Sequence, residues 1–212
     1  MMQTLKKACL VAMLCAPMAA HAQGDIELQT PNTQRGASLM QALADRHSTR
    51  ECNGEELSMA DLSDLLWAAN GVNRKDEGKR TAPSAMNKQD VDVYVVMAKG
   101  TYLYDAFANK LVLVSQGDHR GAVAGRQESV KAFPVILVLV SDVSRFPFKD
   151  ERTNLMAASD AGYVSQNICL FCSANGLVTV PRGSMEFDEL RKVLKLTDSQ
   201  LLLLNNPVGY KK

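Results

Sequence analysis

Residues 134–140, Pro-Val-Ile-Leu-Val-Leu-Val, form an uninterrupted apolar run. A strand with one wet face alternates apolar and polar side chains, so a run with no polar position belongs to a strand covered on both faces. That segment alone demands a layered fold. The longest helical pattern, residues 153–175, carries few polar side chains and should also be buried, with Gly176 placed as its C-terminal cap. Within it Ala158, Gly162, Ser165, Cys169 and Cys172 recur at helical spacing, one stripe of small residues that another backbone can approach closely.

The remaining segments interleave helices and strands. Leu39, Met40, Leu43 and Ala44 predict a short amphipathic helix that stops near His47, and Ser58 with Asp61 resembles a capping box before a helix over 59–69, with Trp67 in the core. Residues 71–87 read as a long charged loop, a length uncommon in a compact domain unless it does something. Strands are expected at 91–97, 101–104, 111–114 and 178–180, and helices at 122–132, 187–196 and 198–204, the last opened by Thr197 and Gln200. Residues 23–37 read as an extended arm before a single domain over 38–212. The class this pattern predicts is α+β, a three-layer α-β-α sandwich.

The N-terminus reads as processing. Lys6 and Lys7 precede an apolar run over 8–20 that is short for a membrane span, and Ala20-His21-Ala22 supplies an A-x-A cleavage site. Residues 1–22 are therefore expected to be a cleaved signal peptide, with the product exported, in the periplasm. Lys6-Lys7 lacks the twin arginine of the folded-export route. Cleavage removes two lysines and no acid, so a formal charge of +1 becomes −1. No excess of Lys and Arg is left for a basic stripe, which argues against a nucleic-acid partner. No later stretch is long enough for insertion in a membrane.

Chemistry-bearing residues are few. Arg46-His47-Ser48-Thr49-Arg50 follows the first helix, and in an extended segment Arg46, Ser48 and Arg50 point to one side, a donor set that suits a phosphate. The bland alternative is a basic helix end facing solvent. Cys169-x-x-Cys172 lies far along a helix, not at its N-terminus, so small-residue packing is favoured over thiol-disulfide chemistry. His47 and His119 are the only histidines left after cleavage, and no metal centre is expected.

Several segments together carry a resemblance. Arg46 to Arg50, Arg80-Thr-Ala-Pro-Ser-Ala-Met-Asn87 before a strand, Asp160-Ala-Gly-Tyr-Val-Ser-Gln-Asn167, Gly176-Leu-Val-Thr-Val-Pro-Arg-Gly183 and Val208-Gly-Tyr210 occur in that order. The set resembles the FMN-dependent nitroreductase superfamily, and more closely its subgroup related to the thiazoline and oxazoline dehydrogenases of peptide biosynthesis. The resemblance implies a mostly antiparallel central sheet flanked by helices, an intertwined homodimer and FMN at the subunit interface. It places Arg46, His47 and Ser48 at the FMN phosphate and Arg50 at the pyrimidine edge, where it is the first candidate for stabilising charge on the reduced ring, ahead of Arg80 or Arg182. Pro83, Ser84, Ala85 and Asn87 would approach the flavin from the partner subunit. Pro181, Arg182 and Gly183 would lie against the ring, and Lys211 or Lys212 would supply a C-terminal cation near the phosphate. The implied activity is oxidoreduction of a small-molecule substrate by hydride transfer through flavin N5, in two half-reactions, with an electron donor that the sequence does not name. The alternative is a catalytically degenerate flavin- or ligand-binding protein of the same fold.

Overall fold

The structure, a computed structural model, describes residues 24–212, so the signal expected at 1–22 lies outside the described residues. In chain order the elements are β1 (Ile26–Glu27), α1 (Leu39–Asp45), α2 (Met59–Asn70), a small hairpin of β2 (Val72–Arg74) and β3 (Lys79–Arg80), then β4 (Val91–Met97), β5 (Gly100–Asp105), β6 (Lys110–Gln116), α3 (Arg120–Ala124), β7 (Val135–Asp142), α4 (Glu151–Ala174), β8 (Leu177–Thr179), α5 (Phe187–Val193) and β9 (Gln200–Tyr210). Seven strands form one sheet in the order β1-β6-β5-β4-β7-β9-β8, antiparallel at every pairing.

β7 sits inside this sheet, and its side chains divide between two cores. Val135, Leu137 and Leu139 join α2 and α4 through Leu62, Leu65, Leu66, Val164 and Ile168. Ile136, Val138 and Val140 join α3 and α5 through Ala122, Val123, Leu190 and Leu194. The apolar run therefore has no polar position because neither face meets water, and the three-layer α-β-α arrangement follows. Each such side chain contributes roughly 1.5–3 kcal/mol by burial.

α4 is the spine of the molecule, about 36 Å long at the usual helical rise. It begins two residues before the expected start because Asp150 and Thr153 form a reciprocal capping box. Asn175 is its C-cap, and Gly176 follows in the left-handed region at φ +72°, a conformation that favours glycine.

Three expectations are corrected. The helix expected over 198–204 is part of β9. Thr197 and Gln200 do bond as anticipated, but they close a turn, and the leucine run enters the sheet between β7 and β8. A bulge opposite Leu139 and Val140 leaves Leu203 as the extra residue, so Leu203 and Leu204 both pack toward the α2/α4 core. The helix expected over 122–132 breaks at Gly125 (φ +55°) into α3 and a 3-10 turn over 128–132. The charged loop over 71–87 holds the β2–β3 hairpin and a second 3-10 turn over 85–87.

The extended N-terminal segment is pinned at several points. Ile26 and Glu27 pair with β6, Asp25 accepts from the Leu113 amide, and Arg35 bridges Asp61, Asp64 and Asn175. Burial opposes ionisation of Asp61, but bonds from Ser58, Tyr210 and Arg35 outweigh it and hold this carboxyl below its ordinary range.

Candidate functional site

The 46–50 segment leaves α1 through Arg46, which caps the helix by donating its amide to Ala42 O. It then follows the β8/β9 corner of the sheet: Thr49 N donates to Thr179 O and Asn53 N donates to Tyr210 O. This close passage explains Gly209, where a Cβ would stand 2.8 Å from that of Cys52 and 3.2 Å from Pro134. Tyr210 completes the anchor, its hydroxyl donating to Asp61 and accepting from the Ser58 amide.

His47, Thr49, Cys169, Thr179 and Lys211 share the lining of a cavity of about 540 Å³ between α1, α4 and β8. His47 Nδ1 lies 2.7 Å from Asp45 O. Of the two C-terminal lysines, Lys212 forms an ion pair with Glu51, while Lys211 lines the cavity. Among the described residues, the side chains of Arg46, Ser48 and Arg50 make no hydrogen bond or ion pair. On this segment the cavity is lined by His47 and Thr49, while Arg46, Ser48 and Arg50, at the alternate positions, are not among its lining residues.

The other two arginines differ. Arg182 is 7% exposed, and its guanidinium donates to the carbonyls of Val123 and Ala124, to Asn205 Oδ1, to Gln127 Oε1 and to Ser184 Oγ. A backbone pair between Arg182 and Asn205 fixes the turn, leaving Pro181 and Gly183 exposed on it. A Cβ at Gly183 would meet nothing nearer than Leu203 O at 4.0 Å, so the backbone there is open to approach. Arg80 donates to Gln89 Oε1 and Asn70 O and stacks over Phe107. Both side chains are taken up by acceptors of their own chain.

Pro83, Ser84, Ala85 and Asn87 lie on the turn after β3. Ser84 Oγ accepts from Gln89 N, and Ala85 N donates to Asp160 Oδ2 on α4. This turn meets α4 near residue 160, whereas the 46–50 segment lies beside residues 169–173. Along the helix the two are about 14 Å apart, so one chain does not bring them together.

The small-residue stripe of α4 is divided. Ser165, Cys169 and Cys172 are buried within the chain, Ser165 Oγ donating to Asn206 Oδ1 and Cys169 lying beside the Asn206 amide. Ala158 is exposed, and a Cβ at Gly162 would meet nothing within 4 Å. Both cysteines are free thiols, and burial pushes both up, Cys172 strongly. Such thiols are poor nucleophiles. His119 Nε2 lies within hydrogen-bond distance of Ser115 Oγ and Gln116 O.

Sequence reasoning passed over Gln89, Asp90, Asn205 and Asn206. The signal available was a polar residue beside or inside an apolar run, and each of the four proves to be a hydrogen-bonding hub.

With this geometry established, comparison with known proteins is direct. The nitroreductase family model matches residues 43–210. A protein of Methanocaldococcus jannaschii that carries a nitroreductase name is 29% identical over 196 residues, 88% of this chain and 97% of its own length. The crystal structure of a Ralstonia eutropha JMP134 protein, also described as a nitroreductase, superposes with a TM-score of 0.84 at 32% identity, covering 98% of this chain and 99% of that one. The NADPH:FMN oxidoreductase of Vibrio harveyi, solved with NAD+, shares the fold at a TM-score of 0.63 and 17% identity, over 82% of this chain and 69% of its own. The family match takes in the 46–50 segment, the 83–87 turn and the 181–183 turn alike, and the chain belongs to the nitroreductase family of oxidoreductases.

Proposed function

We propose that the protein is an FMN-dependent oxidoreductase that works as a homodimer, each flavin lying between two copies. The observation that carries the reading is the contrast among the arginines: among the described residues Arg46 and Arg50 are unbonded, on a segment whose His47 and Thr49 share a cavity with Lys211, while Arg80 and Arg182 are bound within the fold. Free forked donors, a hydroxyl and a lysine fit a phosphate monoester, and the open backbone at Gly183 fits a flat ring laid against it. Bound FMN would supply hydride acceptance and donation at N5. In this reading Arg46, His47, Ser48 and Lys211 hold the phosphate. Arg50 stabilises negative charge at the pyrimidine edge. Pro181 and Gly183 meet the ring, with Arg182 bracing their turn from behind.

The division of the site supports the dimer. A turn that stands about 14 Å along α4 from the 46–50 segment in one chain reaches it only from a second copy, which would bring Pro83, Ser84, Ala85 and Asn87 to the flavin. Exposed apolar side chains on the neighbouring helices, Leu39 and Met40 on α1 and Leu155 and Tyr163 on α4, are the kind of surface such an interface covers. The order of motifs supports kinship with the thiazoline and oxazoline dehydrogenase subgroup, and the pattern over residues 6–22 supports export with cleavage after Ala22.

Titration of the purified protein with FMN tests the reading. The expected result is a flavin absorbance spectrum that stays with the protein through gel filtration and is bleached by a reductant. A colourless protein that ignores added FMN overturns it. N-terminal sequencing of protein recovered from its native compartment tests the cleavage site.

A further inference from the structure

The turn carrying Ser84, Ala85 and Asn87 is held in a demanding conformation. Met86, Asn87 and Gln89 have φ of +54°, +53° and +48°, the left-handed region that residues with a Cβ occupy only when their surroundings hold them there. Within the turn, Asn87 N donates to Ser84 O, Lys88 N to Ala85 O and Gln89 N to Ser84 Oγ. Its tie to the spine of the molecule is the donation from Ala85 N to Asp160 Oδ2 at 2.8 Å.

Asp160 is 1% exposed and Asp90, immediately before β4, is 0% exposed. The two carboxyls lie within hydrogen-bonding reach of each other. Ser141 Oγ, from β7, donates to Asp90 Oδ2, and Asp90 Oδ1 has no donor among the described residues. Nor does either carboxyl form an ion pair there. The neighbouring cations are engaged elsewhere: Arg145 bonds Asp92 and the Gln89 carbonyl and faces Asp142, and Arg80 bonds Gln89 and Asn70. Lys88, on the turn itself, forms no ion pair among the described residues. Two buried carboxylates side by side, with no cation, repel each other, whereas one proton between them turns the contact into a hydrogen bond and satisfies Oδ1.

We propose that Asp90 and Asp160 share a single proton, and that Asp160, so held, is the positioning residue of the 84–89 turn. The proton lies between Asp160 Oδ1 and Asp90 Oδ1, leaving Asp160 Oδ2 to accept from the Ala85 amide. The pair stands on burial and hydrogen bonding alone; only its consequence for flavin binding rests on the two-copy reading above.

Burial, followed by the neighbouring Asp90, pushes Asp160 up to about 7. An unfolded chain releases this proton near the ordinary value of 3.8, so between the two values the folded state binds the extra proton. The contribution of Asp160 to stability is therefore fully present below about 4, declines as pH rises to about 7, and is level above that.

The test is chemical denaturation of the purified protein across that range, with hydrogen exchange on the peptide spanning 84–89. Asp160→Asn has an amide that donates to Asp90 and a carbonyl that accepts from Ala85. It is expected to keep protection of the turn and to remove the decline of stability toward pH 7. Asp90→Asn should do the same. Asp160→Ala is expected to lose protection at Ala85 at every pH; if it does not fold, the two Asn variants decide the matter. A decline toward pH 7 that persists unchanged in both Asn variants overturns the shared proton, and unaltered exchange in Asp160→Ala overturns the positioning role. A fluorescence titration with FMN separates the two readings. With both correct, Asp160→Ala weakens FMN by about tenfold or more and Asp160→Asn restores it. The pH and exchange signatures with FMN affinity unchanged in Asp160→Ala uphold the pair and reject the placement of this turn at the flavin.

Discussion

Among the described residues Arg46 and Arg50 have no bonded partner, on a segment whose His47 and Thr49 line a cavity, whereas Arg182 is bound to five acceptors and Arg80 to two. Four side chains of one chemistry therefore divide into two settings. Replacing Arg182 by Ala strips donors from buried carbonyls and from Asn205, and should lower stability by about 3 kcal/mol, read as a fall in the denaturation midpoint. Replacing Arg46 or Arg50 by Ala should leave that midpoint in place while weakening FMN binding, each lost charge-assisted contact costing about 1.5–3 kcal/mol. An Arg50→Ala protein that binds FMN like the parent would remove it from the site. The presence of Arg, Ser and Arg at alternate positions was legible in the sequence. Which arginines remain free was not, because that depends on carbonyls and amides tens of residues away.

At the scale of elements, β7 and β9 make the instructive pair. β7 is rich in valine and leucine, β9 opens on a run of four leucines, and both lie inside the sheet. The β7 run is long, has no competing helical signal and was readable. In β9 a short leucine run follows Thr197 and Gln200, whose hydrogen bonds serve a turn as well as a helix cap, and only pairing with β7 and β8 decides between them. The small-residue stripe of α4 was legible as a stripe, but its spacing could not say that Ser165, Cys169 and Cys172 meet their own sheet while Ala158 and Gly162 remain open. Because alternate β7 residues feed different cores, Leu137→Ala should cost about 2–5 kcal/mol by leaving a cavity under α2 and α4. Thermal unfolding followed by circular dichroism measures it. A shift smaller than that of an exposed substitution such as Lys99→Ala would contradict the packing described.

For the whole molecule, the N-terminal segment, α2 and the end of β9 meet at Arg35, Asp61 and Tyr210. The depressed Asp61 contributes stability that is present above the ordinary carboxylate value near 3.8 and is lost as pH falls through its lower folded value. Asp61→Asn should therefore destabilise the protein at neutral pH by about 1–3 kcal/mol and flatten the acid limb of its stability profile. An acid limb identical to that of the parent would show that this junction does not govern acid unfolding. Ala158→Arg places a long cation on the open part of α4; sedimentation velocity should then report a monomer, with FMN affinity lost alongside. A dimeric, flavin-loaded Ala158→Arg protein would move the interface away from that helix. The sequence by itself determined the layered α+β class, the phosphate-suited Arg46, Ser48 and Arg50, and the order of family motifs, because patterning and local donor chemistry are written in neighbouring residues. Only the tertiary structure decided that β9 is a strand, that Arg80 and Arg182 are bound within the fold, and that Asp90 meets Asp160. Those outcomes depend on groups distant in the chain, whose burial and partners exist only once the sheet has closed around them.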